Sequence, residues 1–163
     1  MYSHPGRIQL LPVAFLAKDD RDNDDASIVG FWHQKLVSKG SAGIEDGTVL
    51  DDGLAQWHSD GTEILNSNRP TISGSFCLGM WEKVKERTYR LNHFPLPYDA
   101  TGTVFVGPVN IRAEVTLTRD GNQYSGTFTY EQYDPTGKIV VGSAQGIITG
   151  TRITMNSKPP DIF

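Results

Sequence analysis

The sequence predicts an all-β domain, an eight-stranded antiparallel up-and-down barrel preceded by an N-terminal arm. Three observations lead there. From residue 28 to residue 154, apolar and polar residues alternate with a period of two, and no helical period is sustained. Turn residues, drawn from 17 Gly and 9 Pro, recur at short intervals, so each strand should pair with its sequence neighbour. An open meander of that size would expose two edges, and closing the sheet removes them.

A chain of 163 residues is one domain by length and can bury a core. Its net charge of −4, with no dense Lys/Arg cluster, argues against a nucleic-acid partner. No stretch approaches the ~20 apolar residues of a membrane-spanning helix. Cys77 is the single cysteine, so no disulfide can form within the chain.

The arm and its acidic linker occupy residues 1–27. Arg7 followed by the apolar run Ile8–Ala17 has the outline of an export signal, although Gln9 and Pro12 interrupt it and Phe15 stands where a small residue is wanted. The other reading is an ordered arm that packs on the barrel or joins it to a second copy. Asp20, Asp22 and Asp24 alternate like the first ligands of a calcium loop. Asp25 replaces the required Gly and Phe31 the closing Glu, so the segment reads as a solvated linker.

The barrel domain spans 28–154, with a tail over 155–163. Strands are expected at about 28–37, 48–58, 62–66, 72–83, 87–95, 104–118, 122–133 and 138–154. Asp60-Gly61 and Asp120-Gly121 are hairpin signals, where Gly accepts the positive φ of a tight turn. Asp134-Pro135-Thr136-Gly137 places Pro and Gly at the second and fourth positions of a turn. Asn68-Arg69-Pro70 and Pro95-Leu96-Pro97 break strands, and the second opens a longer loop over 95–103, a candidate lid on one barrel mouth.

Alternation also assigns faces. Ile111, Ala113, Val115 and Leu117 should point inward, leaving Arg112 and Glu114 in water. Tyr124, Gly126, Phe128 and Tyr130 share a face, as do Tyr89, Leu91 and His93, and Ile139, Val141, Ser143, Gln145 and Ile147. Phe76, Leu78 and Met80 oppose Cys77, Gly79 and Trp81, and the pattern does not say which set is inside. The expected interior is aromatic and aliphatic, with Tyr89, His93, Tyr124, Tyr130 and Gln145 as hydrogen-bonding groups, and Gln34 with them if Trp32 points in. Such a mixture lines small-molecule pockets. A Tyr hydroxyl can equally reach the rim and stay wet.

Two short motifs tie the ends of the domain together. Gly30-Phe31-Trp32 lies on the first strand, and Arg152 in Thr151-Arg152-Ile153 lies late in the last. In this the chain resembles the calycins, the superfamily of lipocalins and their relatives. The resemblance implies that Arg152 lies across the Trp32 indole and closes the barrel base, a structural cation–π pair. Gln56–Thr62 and Gly74–Trp81 are similar to uncharacterised bacterial calycin-like proteins grouped near allene oxide cyclase, a barrel enzyme that folds a fatty-acid epoxide into a ring. The chain departs from secreted lipocalins in lacking a cysteine pair and a helix after the barrel. Carriers and enzymes share this architecture, so it implies a pocket and not a reaction.

Three histidines, His33, His58 and His93, fall on different strands, but nothing in their spacing demands a metal, and His33 has the opposite parity to Trp32. His93 beside Tyr89 and Tyr124 or Tyr130 could serve as a general acid/base for an isomerase or cyclase. Cys77 has no evident His partner and reads as an inert buried thiol. His58-Ser59-Asp60 are too close in sequence to form a relay. With no phosphate loop, dinucleotide fingerprint, HExxH or CxxC, no cofactor is implied. The expected function is binding of a small apolar or aromatic molecule by Gln34, Tyr89, His93, Tyr124, Phe128, Tyr130 and Gln145. The alternatives are an isomerase or cyclase with His93 and Tyr89 as catalytic groups, and a filled barrel acting through its surface or as an oligomer.

Overall fold

A computed structural model describes residues 26–163 of the chain, so most of the arm and the acidic linker lie outside the described residues. Eight strands follow in order: β1 (Gly30–Ser38), β2 (Val49–Trp57), β3 (Thr62–Ser67), β4 (Phe76–Lys85), β5 (Thr88–Pro95), β6 (Val109–Leu117), β7 (Gln123–Tyr133) and β8 (Val140–Ile153). Each pairs antiparallel with the next, and β8 pairs back on β1, so the sheet is a closed up-and-down barrel. No edge strand remains within it. The architecture is compatible with a calycin-like fold.

Two strands are shorter than alternation suggests, and the cause is local backbone chemistry. The strand expected from residue 72 begins at Phe76, because Pro70 starts a 3-10 turn over Thr71–Ser73 that ends on Gly74 at a φ of 81°. The strand expected from residue 104 begins at Val109. Pro97 and Pro108 lack ladder donors and Gly107 takes a φ of 110°, so residues 96–108 form a loop held by one isolated bridge between Tyr98 and Phe105.

The inward faces carry Trp32, Gln34 and Leu36 on β1, Tyr89, Leu91 and His93 on β5, and Ile111, Ala113, Val115 and Leu117 on β6, all buried. On β4 the buried residue is Cys77, while Phe76, Leu78 and Met80 stand on the outer face. On β8 the expected set is reversed. Gly146, Ile148 and Gly150 point in, whereas Val141, Ser143 and Gln145 are exposed. Space decides this. A side chain at Gly150 would run into the Tyr124 ring, and one at Gly146 into the Val37 carbonyl.

The base of the barrel is closed by an aromatic layer. Trp32 contacts Tyr124 edge-on at 4.9 Å, Tyr124 contacts Trp57 at 5.8 Å, and Trp57 leads on to Trp81 and Tyr89. Arg152 lies with its guanidinium carbon 4.1 Å from the centre of the Trp32 ring. It donates to three carbonyls, of Gly121, Val29 and Ser27, so one side chain ties β8 to the β6–β7 hairpin and to the entry of β1. The Trp32 indole N–H donates to the Ile28 carbonyl at 2.9 Å. Gly30, at a φ of 145°, adopts a backbone that other residues rarely take, and a side chain there would occupy the guanidinium's place.

Candidate functional site

At the opposite end the barrel holds a cavity of about 330 Å³. Every strand contributes to its wall: Leu36, Leu50, Ser67, Cys77, Pro95, Ile111, Phe128 and Ala144 stand for β1 to β8 in turn. The inward residues of β8 are small there, and Gly74 and Pro97 of the two strand-breaking segments complete the wall. The wall is mainly apolar, with a polar corner made by Asp51, Ser67 and Arg69. Ser67 donates to Asp51 at 2.5 Å and accepts from the Arg69 backbone N–H. Cys77 lines the cavity as an unreactive thiol: burial, then the Asp51 and Glu63 charges, push its pKa up to about 12.

Beneath this cavity lies a layer of buried polar groups. Leu36, Cys77 and Pro95 in the wall each sit two positions along the same inward faces from Gln34, Gly79 and His93. The ladder then brings the layer together. Trp57 is opposite Glu63, Glu63 opposite Gly79, and Gly79 opposite His93. Gly79 has no side chain, and the room this leaves is filled by Glu63 and His93 reaching across it. Glu63 Oε2 and His93 Nδ1 are 3.2 Å apart, with both side chains at most 1% exposed. The Tyr124 hydroxyl donates to Gln34 Oε1 at 2.6 Å. Burial raises the Tyr124 pKa well above its usual value, and the nearby Glu63 charge adds to the rise, so this phenol is a donor at every ordinary pH. The Trp57 N–H lies near the same hydroxyl, without hydrogen-bond geometry.

The sequence-predicted residues thus fall in four places. Phe128 and Tyr130 line the cavity. Gln34, His93 and Tyr124 form the polar layer beneath it. Tyr89 belongs to the aromatic base, on the far side of that layer from the cavity. Gln145 is outside: its side chain donates to the Gly40 carbonyl, and its backbone exchanges bonds with the Ser41 hydroxyl. The parity of β8 corrects its assignment to the interior. The three histidines do not meet. His33 lies on the outer face, 2.5 Å from Asp52 and against the Phe163 ring, His58 follows β2 in the turn to β3, and His93 is interior.

Alternation alone missed Glu63, Asp51, Ser67 and Arg69. Glu63 could have been found, since the Asp60-Gly61 turn pairs it with Trp57 and gives both the same face. A carboxylate is the residue least expected inside, so composition pointed the other way. No protein-family model matches the chain, and no curated protein matches it either.

The arrangement can hold an apolar body in the mouth beside the polar corner of Asp51, Ser67 and Arg69.

Proposed function

We propose that this protein binds a small, largely apolar or aromatic molecule in the mouth of a calycin-like barrel. The observation that carries the reading is the cavity of about 330 Å³, walled by all eight strands and predominantly apolar. That volume is within the range of small-molecule sites. Phe128, Leu36, Ile111 and Val109 would hold the ligand through buried area, and Tyr130 and the Asp51–Ser67–Arg69 corner would orient any polar end facing water.

The test is native mass spectrometry of the protein purified from its own host, with an Ala144→Trp variant in parallel. Ala144 is half-buried and lines the cavity, so the indole would fill the mouth. A retained compound in the parent, absent from a folded variant, supports the reading. A compound held equally by both places the binding site elsewhere.

The second reading is a proton-shifting isomerase or cyclase in the same barrel, and one observation favours it. Glu63 sits on Nδ1 of His93, as a carboxylate orients a catalytic imidazole. A His93→Ala variant that still binds the retained compound but no longer converts it would support this reading. Unchanged conversion would end it.

A further inference from the structure

β4 is apolar on both of its faces. The run Phe76-Cys77-Leu78-Gly79-Met80-Trp81 carries no charged or amide side chain, and an unbroken apolar run is the pattern of a strand covered from both sides. The barrel interior covers one side, where Cys77 is buried. On the other side stand Phe76, Leu78 and Met80, joined by Phe94 of β5 and by Leu96 just past its end, all between 48% and 66% exposed. The ladder makes them neighbours. Leu78 is paired with the half-buried Ile64 of β3 and with Phe94, while Phe76 and Leu96 flank the Cys77–Pro95 pair. At about 200 Å² for a large side chain, five that are half exposed present on the order of 500 Å² of apolar surface. That is near the upper limit of what a monomer leaves bare. The far side of the barrel follows the opposite rule: Arg112, Glu114 and Thr116 of β6 and Ser125, Thr127 and Thr129 of β7 are the exposed residues there.

We propose that the outer face of β3–β5 joins two copies of this chain in a two-fold dimer, sheet against sheet. Three observations select a second copy. The first is area. A stable interface takes about 800 Å² from each partner, with an apolar centre inside a polar rim. Here Asn66 beside Phe76, Asn92 beside Met80, and the Glu82–Arg90 pair supply that rim. The second is charge. None of the six apolar side chains is charged, so a two-fold axis over Leu78 sets apolar against apolar and brings no like charges together. The third is the backbone. The closed barrel offers no edge on this face, so a covering element must arrive with its own N–H and C=O groups paired. A second barrel does so. An extended segment such as Ile8–Ala17 does not, and Pro12 interrupts a helix in it. A net charge of −4 works against an acidic membrane surface as the occupant. The contact lies outside the wall and does not depend on what the cavity holds.

Sedimentation equilibrium of the full chain at micromolar concentrations should give the mass of two chains. Leu78→Asp brings a carboxylate from each copy to the dry centre and should weaken association about a hundredfold or more. Met80→Lys should weaken it as well. Both positions face outward, so the far-UV circular dichroism of the two variants should remain that of the parent, and either one carries the test if the other fails to fold. Thr127→Asp, on the polar side of the barrel, should leave the dimer intact. A monomeric parent overturns the proposal, and one that sediments with phosphatidylglycerol vesicles replaces the second copy by a membrane. A dimer that persists in folded Leu78→Asp or Met80→Lys overturns it too. A dimer lost equally on Phe15→Asp assigns the contact to the N-terminal arm and likewise overturns it.

Discussion

Arg152 shows how much one side chain can carry. Its guanidinium stacks on Trp32 and donates to three backbone carbonyls, so it replaces water for groups at the barrel base that no strand pairs. Arg152→Ala removes the stack and orphans those carbonyls. The expected loss is about 2–4 kcal/mol, read as a lower urea midpoint, with Arg152→Lys recovering only part because an ammonium cannot present the same planar fork. Glu63 is the second test at this scale. Glu63→Ala leaves His93 buried without its acceptor and should cost about 3–5 kcal/mol in the same measurement, whereas the isosteric Glu63→Gln should cost less. A loss below about 1 kcal/mol in the alanine variant would mean that the pair contributes little beyond its packing.

The elements owe their registers to a few turns. Asp134 caps the β7–β8 hairpin: its carboxylate accepts from the Ile139 and Lys138 backbone N–H groups and from the Thr136 hydroxyl. These bonds, the one from Ile139 first, hold its pKa at about 2, below the 3.8 of a free Asp. Folding therefore weakens proton binding at this site. The stability it contributes is complete above pH 3.8 and is lost as the pH falls through 2. Asp60, Asp99 and Asp120 are lowered as well, each chiefly by a neighbouring Thr hydroxyl, and act in the same direction. The thermal midpoint should accordingly drop on acidification below about pH 4, and Asp134→Asn should make that drop shallower. An identical acid profile for parent and variant would rule out this turn as a contributor. The hairpins were legible because an Asp-Gly turn is a local event. The starts of β4 and β6 were less so: alternation continues through residues 72–75 and 104–108, but the adjoining prolines and glycines do not allow a ladder there.

At the scale of the whole molecule, closure sets the division between base, polar layer and mouth. The row of paired residues that begins at Gly30 passes through Trp57, Glu63, Gly79, His93, Ile111 and Tyr130 and reaches β8 at Ala144, level with the far end of β1. Strands therefore climb as they go round, and residues from one ladder row occupy different heights. Tyr89 and His93, four residues apart on one face of β5, belong to different compartments because about 13 Å of strand separates them, one in the base and the other below the cavity. Ala144→Trp should likewise block the mouth without touching the base.

The sequence by itself determined the all-β class, the strand count, the short connections and the inner faces of β5, β6 and the first part of β7. Period-two alternation and turn chemistry are local, and they are written residue by residue. Tertiary structure alone decided three things. It set the inward face of β8, where crowding by Tyr124 and Val37 admits only small residues and turns Gln145 outward. It placed Glu63 against His93, because the contact needs the gap left by a glycine on the strand between them. It put the cavity at one end and the aromatic base at the other, because the climb of a closed ladder depends on how every strand pairs and cannot be read from any one of them.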